Sequence, residues 1–529
     1  MPLTKSGRQE VTVWRMSRRR RERLAQLEGA QAPDPGRFEA PFSPRELAAL
    51  KKRLTGDVVQ LSDPAYQSAR QLSNGAFQSW PQLIVYCEVF QDVRECLQFA
   101  QTHRLAATTR SGGHSTAGFS VNDGMVIDTS RLDGVYVDPA ARRAVLGPGA
   151  NWGHVNATLA DYGLHMPSGV CGDVCMAGFT QGGGYGYTSR LFGLGCDNLV
   201  EALVMLADGR IVRASDEVNP DLLWALRGGT GNNFGVLLQG SFRLQPLRPL
   251  WGYALTWTAA QAPQALVALQ QGYMSRGAPP ELGWMGALAN TGPKGALQLT
   301  MAGLYWGPRD AGLKQLQPLI ADTGATLTVD RVGSYHELND LVMGDMPPCP
   351  DLAREDKQSA IIGRRLTKAE WARVCRMAAQ APNPWGAVAF EPYGGAINAV
   401  PRDATAFVHR DADCDIFVDV FWMNEPERAQ VQSYLDAFMA LLEPLSNGES
   451  YQNYPRRSQA DYRRRFWAEQ FPRLLRVKRK YDPGNFFEYA QSVSPEPGQP
   501  WPAVPPGDRI VVEPWSPPPI RPARARARG

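Results

Sequence analysis

The chain has 529 residues, 43% of them hydrophobic, and a formal net charge of only +4. That is ample for a sizeable core, and with the excess positive charge gathered at the ends it gives no reason to expect a nucleic-acid partner. No apolar run approaches the ~20 residues of a membrane span, and no apolar stretch follows the N-terminal arginines as a secretory signal would require. The default expectation is a cytoplasmic location with no membrane partner. The eight cysteines, at 87, 96, 171, 175, 196, 349, 375 and 414, form no repeated pairs, so neither a disulfide framework nor a zinc ribbon is indicated. Cys87, inside the run LIVYC, reads as an ordinary buried thiol.

At about 150 residues per domain the length would give three or four domains, but large α/β proteins use fewer. The pattern reads as two intertwined domains between extensions. Residues 1–63 form an N-terminal extension, partly disordered, with the run Arg18 to Arg21 as a solvated tail; order is expected from near Pro64. Within 64–247, residues 83–88 (LIVYCE) read as a buried strand, 91–103 as a helix and 105–109 as the next strand. This is a βαβ unit, so its strands should be parallel. Short strands follow at 125–128, 135–138 and 143–146, then a helix over 151–162 capped by Asn151. Two strands flank the turn at Asp208-Gly209, and another strand spans 235–244. Over 248–447, strands such as 296–304 alternate with helices such as 308–321 and 426–443. No phosphate-type glycine loops occur there, and the region reads as an antiparallel sheet covered by helices. Residues 448–495 are aromatic and basic, ending in VKRKYDPGNFF. The Pro/Arg-rich tail, 496–529, is expected to be disordered or to dock as an extended segment.

Four segments stand out chemically. In Arg110-Ser111-Gly112-Gly113-His114-Ser115 the paired glycines let the backbone adopt positive φ and turn successive N–H groups toward one point. Such a nest holds a pyrophosphate, although by itself the segment reads equally as a tight turn with a chance histidine. It is not the G-x-G-x-x-G fingerprint. The second runs from Gly169 through Cys171, Val174, Cys175 and Gly178 to Gly182-Gly183-Gly184-Tyr185-Gly186. A loop so rich in glycine buries little apolar area and costs conformational entropy. It is worth building where backbone must lie against something flat or anionic. The two cysteines could be a buried pair; as metal ligands they lack a second pair of matching spacing, and no metal site is expected. The third is the run GGTGNNFGV at 228–236, and the fourth is Tyr451-Gln452-Asn453-Tyr454-Pro455.

In combination, RSGGHS, G-V-C-x-x-V with GGGYG, GG-x-G-x-N-F-G-V, NYP and KYDP-x-N-F resemble the berberine-bridge-enzyme-like branch of the vanillyl-alcohol-oxidase (PCMH-type FAD-binding) superfamily, over residues ~65 to 495. The resemblance implies an α+β fold class. An FAD-binding domain of two α/β subdomains would span 64–247, and a substrate domain with an antiparallel sheet 248–447. A segment at 448–495 would return to the FAD domain. It implies FAD bonded to His114 through the flavin 8α carbon and to Cys171 through flavin C6, with Val174 leaving space beside the ring for dioxygen. The cofactor-binding set it implies is Arg110, Ser111, Gly112, Gly113, His114, Ser115, Cys171, Val174, Gly178, Gly182, Gly183, Gly184, Gly186, Asn233, Gly235, Val236, Asn453 and Tyr454. The chain departs from the family after Val174, where Cys175 and Ala177 replace the usual glycines, and after NYP, where Arg456 replaces an acidic residue and would bear on the pocket rim.

The implied reaction passes a hydride from a substrate carbon to flavin N5 while a base takes a proton. Dioxygen then leaves as hydrogen peroxide. The expected substrate is an alcohol group of a sugar or natural product; the alternative is oxidative cyclisation or C–C bond formation on a phenolic or alkaloid-like metabolite. Partners are thus a small molecule and dioxygen, with the oligomeric state open. Tyr454 is the first candidate base, a role that requires a depressed pKa or a concerted transfer because a free tyrosine titrates near ~10. Asp419 and Glu391 are the carboxylate candidates. The stretch 413–422 alternates like a strand and places Asp415, Phe417, Asp419 and Phe421 on one face. Acids on such a face are costly unless paired or functional; the competing reading is an edge strand with solvated carboxylates.

Overall fold

The computed structural model describes residues 40–275, 277–343, 353–505 and 507–513. The terminal arginine runs and Cys349 lie outside the described residues. The first sheet has the spatial order Asp57–Val59, Leu83–Tyr86, Met125–Asp128, Ala107–Arg110. Its last three strands are parallel, and their near-continuous apolar sequences fit a sheet covered on both faces. The strands of the expected βαβ unit do run parallel, but Met125–Asp128 is inserted between them. Helix Phe90–Thr102 packs Val93, Cys96, Leu97 and Ala100 onto this sheet.

Order begins earlier than Pro64. A helix spans Pro44–Arg53, opened by a capping box in which Ser43 and Glu46 satisfy each other's backbone N–H, with proline in its first turn. Its Leu50 joins the core of the first sheet, and strand Asp57–Val59 pairs antiparallel with Leu83–Tyr86. The S-x-x-E signature was present in the sequence; the preceding proline-rich stretch masked it.

The second sheet, in the order Val135–Asp138, Arg143–Leu146, Val236–Arg243, Leu199–Met205, Ile211–Ser215, is antiparallel throughout. Helices Trp152–Asp161 and Pro220–Leu226 cover it together with Trp467 and helix Phe471–Tyr481. The late aromatic segment thus packs against this early sheet. It is pinned by the buried Lys478, whose Nζ donates to the Asn233 and Phe487 carbonyls and to Asp482 at 2.7 Å each. Beyond it the chain docks in extended form as far as Glu513, with Val511 N–H donating to Asn219 Oδ1 and Arg213 paired with Glu513.

The third sheet has seven antiparallel strands, in the order Thr326–Gly333, Leu250–Thr258, Gln298–Tyr305, Leu282–Ala289, Ala387–Pro392, Cys414–Trp422, Arg354–Ile362. Helices Ala262–Leu269, Arg309–Thr323, Lys368–Ala378 and Arg428–Leu442 cover one face. Period-two alternation then fixes what the other face carries. Ile416, Val418, Val420 and Trp422 enter the helix-covered core, while Phe417, Asp419 and Phe421 face a cavity toward the first two sheets. Cys414–Trp422 is interior, so the edge-strand reading of its carboxylates does not hold. Among the described residues no helix is long and apolar enough to cross a membrane.

Candidate active site

A cavity of about 640 Å³ lies between these units, inside the ~300–1,000 Å³ range of cofactor and ligand sites. One wall is mostly main chain: residues 111–116, parts of 169–178, and Thr230 to Asn232 with Gly235. Gly113 has φ +72°, and a Cβ on Gly112 would come within 3.0 Å of Cys175 Sγ and 3.2 Å of the Asp173 carbonyl oxygen. Among the described residues no main-chain carbonyl outside the helices and strands takes the N–H of Gly112, Gly113 or His114. Successive N–H groups in such a turn can together hold an anion.

The 169–175 loop is held by the start of helix Trp152–Asp161. Trp152 N–H donates to Val174 O at 3.1 Å and Gly153 N–H to Gly172 O at 2.8 Å, while Met176 N–H donates to Ala150 O at 2.8 Å. Asn151 caps that helix through His154 N–H, as expected. The anchoring separates the two thiols. Cys171 opens onto the cavity, where the surrounding protein mass, aided by Asp173, pushes its thiol up to about 11. Cys175 also borders the cavity but is buried, its sulfur 3.3 Å from the Gly149 carbonyl oxygen. Val174 lines the cavity, and Asp173 Oδ2 lies 3.1 Å from His114 Nε2.

The opposite wall is the third sheet. Tyr454 Oη donates to Glu391 Oε1 at 2.5 Å, and its ring packs on Phe417 with centroids 4.5 Å apart. Lys357 stands directly across the ladder from Asp419 and bridges Glu355 at 2.9 Å and Asp419 at 2.7 Å. Its ammonium also lies 5.1 Å from the Tyr454 ring centroid. Trp385 and Phe421 complete an aromatic lining. Burial pushes the Glu391 carboxyl up to about 7, against the opposing effects of the Tyr454 hydrogen bond and Lys357. Burial and Glu391 together push the Tyr454 hydroxyl well above its ordinary value. Asp419 is also raised, because burial and Glu355 outweigh Lys357.

Residues 81–215 match a family model described as an FAD binding domain. The late segment matches the one described as berberine and berberine like over 450–494. A xylooligosaccharide oxidase of Thermothelomyces thermophilus is 30% identical over 419 residues, 74% of this chain and 82% of that protein. The chain belongs to the berberine-bridge-enzyme-like family of FAD-linked oxidoreductases. An uncharacterized FAD-linked oxidoreductase of Bacillus subtilis is 29% identical over 84% of this chain and 98% of its own length. In fold, the solved BBE-like 1 of Physcomitrella patens superposes with a TM-score of 0.78 at 24% identity, covering 85% of this chain and 98% of that one. As a member of the family, the protein is an FAD-dependent enzyme with a small-molecule substrate, built on the mixed α+β fold that the motifs implied.

The residues present fit FAD. The successive main-chain N–H groups at Gly112 to His114 suit its pyrophosphate, and the apolar, glycine-lined wall at Val174, Gly178 and Gly235 suits a flat ring. Of the residues expected to bind it, Ser111 to Ser115, Cys171, Val174, Gly178, Gly235, Val236, Asn453 and Tyr454 reach the cavity. The others stand behind the wall. Arg110 is buried in an ion pair with Asp128 at 2.6 Å. Gly182, Gly183, Gly184 and Gly186 are buried in protein; a Cβ on Gly182 would sit 1.9 Å from Asn453 Oδ1. Asn233 ties the loop to the late segment through Gly229 O, Tyr489 Oη and Val493 N–H. Arg456 does not form the rim; it pairs with Asp356 at 3.0 Å and Asp436 at 2.6 Å. Asp415 shares the strand face of Asp419 but is fully buried beyond the cavity, across the ladder from Glu391. Sequence reasoning did not find Asp173, Glu355, Lys357 or Trp385. Only the strand register, which brings Lys357 opposite Asp419, would have marked the third of these.

Proposed function

We propose that the protein is an oxidase that carries its FAD covalently, on His114 and Cys171. In this reading it oxidises an alcohol carbon of a sugar or sugar-like natural product, with dioxygen as acceptor and hydrogen peroxide as product. The observation that carries the reading is the 2.5 Å hydrogen bond from Tyr454 to the buried Glu391 on the cavity wall. FAD, when bound, supplies the two-electron acceptor. What remains for the chain is to bind the alcohol, exclude water and remove its hydroxyl proton.

Tyr454 alone is a poor base, because its hydroxyl is held well above its ordinary value. A concerted path avoids the tyrosinate: the substrate proton passes to Tyr454 Oη as the phenol proton passes to Glu391 Oε1. Glu391, with a pKa of about 7, is ionised in a useful fraction near neutrality. Among the described residues its other oxygen has no hydrogen-bond partner. The Glu355–Lys357–Asp419 cluster offers acceptors and a donor to further hydroxyls, and Trp385, Phe417 and Phe421 offer flat apolar faces to a sugar ring. The xylooligosaccharide oxidase among the relatives supports this substrate class. The test is to incubate the purified protein with panels of oligosaccharides, phenols and amines while following flavin bleaching and peroxide. Bleaching by an oligosaccharide with stoichiometric peroxide is expected. Bleaching confined to phenols, with a cyclised product, would replace the reading.

A further inference from the structure

We infer that Asp173 is the residue that drives attachment of the flavin to His114: it holds the imidazole with its proton on Nε2 and receives that proton as the bond forms at Nδ1. The inference rests on the covalent reading proposed above. Its starting point is the 3.1 Å separation of Asp173 Oδ2 from His114 Nε2. An imidazole nitrogen facing a carboxylate at that distance is the protonated one, and the other nitrogen is then the lone pair available as nucleophile.

The Asp173 side chain is 66% exposed, but the main chain that carries it is anchored on both sides. Asp173 sits between two residues whose main chains are tethered, Gly172 through Gly153 N–H and Val174 through Trp152 N–H, and Val174 N–H also donates to Cys171 O. The same loop lies against Gly112, where a Cβ would meet the Asp173 carbonyl oxygen at 3.2 Å. A side chain at position 112 would push apart the two segments that bring His114 and Asp173 together.

The step balances as follows. Nδ1 forms a bond to the 8α methyl carbon of FAD, which loses one C–H proton, and the electron pair enters the ring system, reducing it by two electrons. The imidazole, now substituted on Nδ1, is cationic until Nε2 releases its proton, and Asp173 is positioned to take it. Dioxygen then accepts the two electrons and the two protons and leaves as hydrogen peroxide, restoring oxidised, linked flavin. Asp173 acts here on His114 and not on the substrate, so its effect belongs to maturation of the enzyme.

The test uses full-length protein purified from flavin-limited cells, in a Cys171→Ala background that leaves His114 as the sole anchor, mixed with FAD. Covalent flavin is followed by fluorescence after acid precipitation and by mass spectrometry of the His114 peptide; bound but unlinked FAD is measured in parallel. Asp173→Asn is expected to bind FAD and link it about 10² or more times slower, the lower end of what a positioned base contributes, with Asp173→Glu recovering part of the rate. In Asp173→Ala, added formate should speed linkage, a response that a purely structural role would not give. Linkage at the parental rate in Asp173→Asn overturns the inference. If that variant does not hold FAD, Asp173→Glu and Asp173→Ser decide, and equal rates in those two overturn it. Parental protein that releases all its flavin as free FAD refutes covalent attachment itself, and the inference falls with it.

Discussion

Along the wall formed by residues 111–116 and 169–178, glycines and main-chain groups face the cavity, and His114 and Asp173 are its paired ionisable side chains. Across the cavity, the strands at 354–362, 387–392 and 414–422 present Glu355, Lys357, Glu391 and Asp419 among aromatic rings. The difference reflects two tasks. A wall that must hug a large cofactor does so with backbone, because a single Cβ forces segments apart. A wall that must move a proton and sort hydroxyls needs titratable side chains, and a rigid sheet holds these at fixed spacing. Substitutions should therefore separate cleanly into those that change chemistry on substrate and those that change the flavin.

Tyr454→Phe should give the largest effect and the sharpest test of that division. Flavin content and its linkages should survive, while flavin reduction by substrate slows by about 10² to 10⁴, or roughly 3–5 kcal/mol in the barrier. Single-turnover stopped flow reads this directly. Reduction at the parental rate would move the base to a carboxylate, which the same measurement on Asp419→Asn would locate.

Glu391→Gln should follow, with a rate loss of about tenfold or more and a change in pH profile. Because Glu391 must be ionised to accept a proton, parental reduction should rise with pH through about 7 and level off above it; the variant should lose that limb. The same raised pKa has a stability consequence. The folded state keeps the Glu391 proton to higher pH than an unfolded carboxyl does, so stability should fall as pH climbs from about 4.5 toward about 7. Melting temperatures of the variant and parent should differ more at high pH than at low, in the variant's favour. A pH-independent difference would mean that Glu391 does not titrate there.

On the backbone wall, Cys171→Ala should leave a singly attached flavin with an altered absorption spectrum, whereas Cys175→Ala should leave the spectrum unchanged, because the Cys171 side chain is exposed in the cavity while that of Cys175 is buried. The reverse result would place the second linkage four residues further along. Val174→Ile, the mildest change, should slow reoxidation by dioxygen several-fold while sparing reduction, since its effect is to fill space beside the ring. Equal reoxidation in both forms would remove the steric rationale.

The backbone wall was largely legible in the sequence, since glycines at 112, 113 and 235 declare positions where a Cβ is excluded or strained, and loop motifs are local. Even so, the reading did not separate glycines that face the cavity from those, such as Gly182 against Asn453, that only let protein pack on protein. The sheet wall was legible in its parts: the alternation at 413–422 put Phe417, Asp419 and Phe421 on one face. What lay out of reach was the partner of each. Lys357 meets Asp419, and Tyr454 meets Glu391, through contacts spanning 62 and 63 residues, and no local periodicity encodes the register of separate strands. By itself the sequence determined which segments would be strands, helices and glycine loops, because side-chain period and backbone freedom are properties of neighbouring residues. Tertiary structure alone decided which carboxylate is raised, which thiol is open and which histidine nitrogen is held, because burial and charge pairing depend on what the rest of the chain brings alongside.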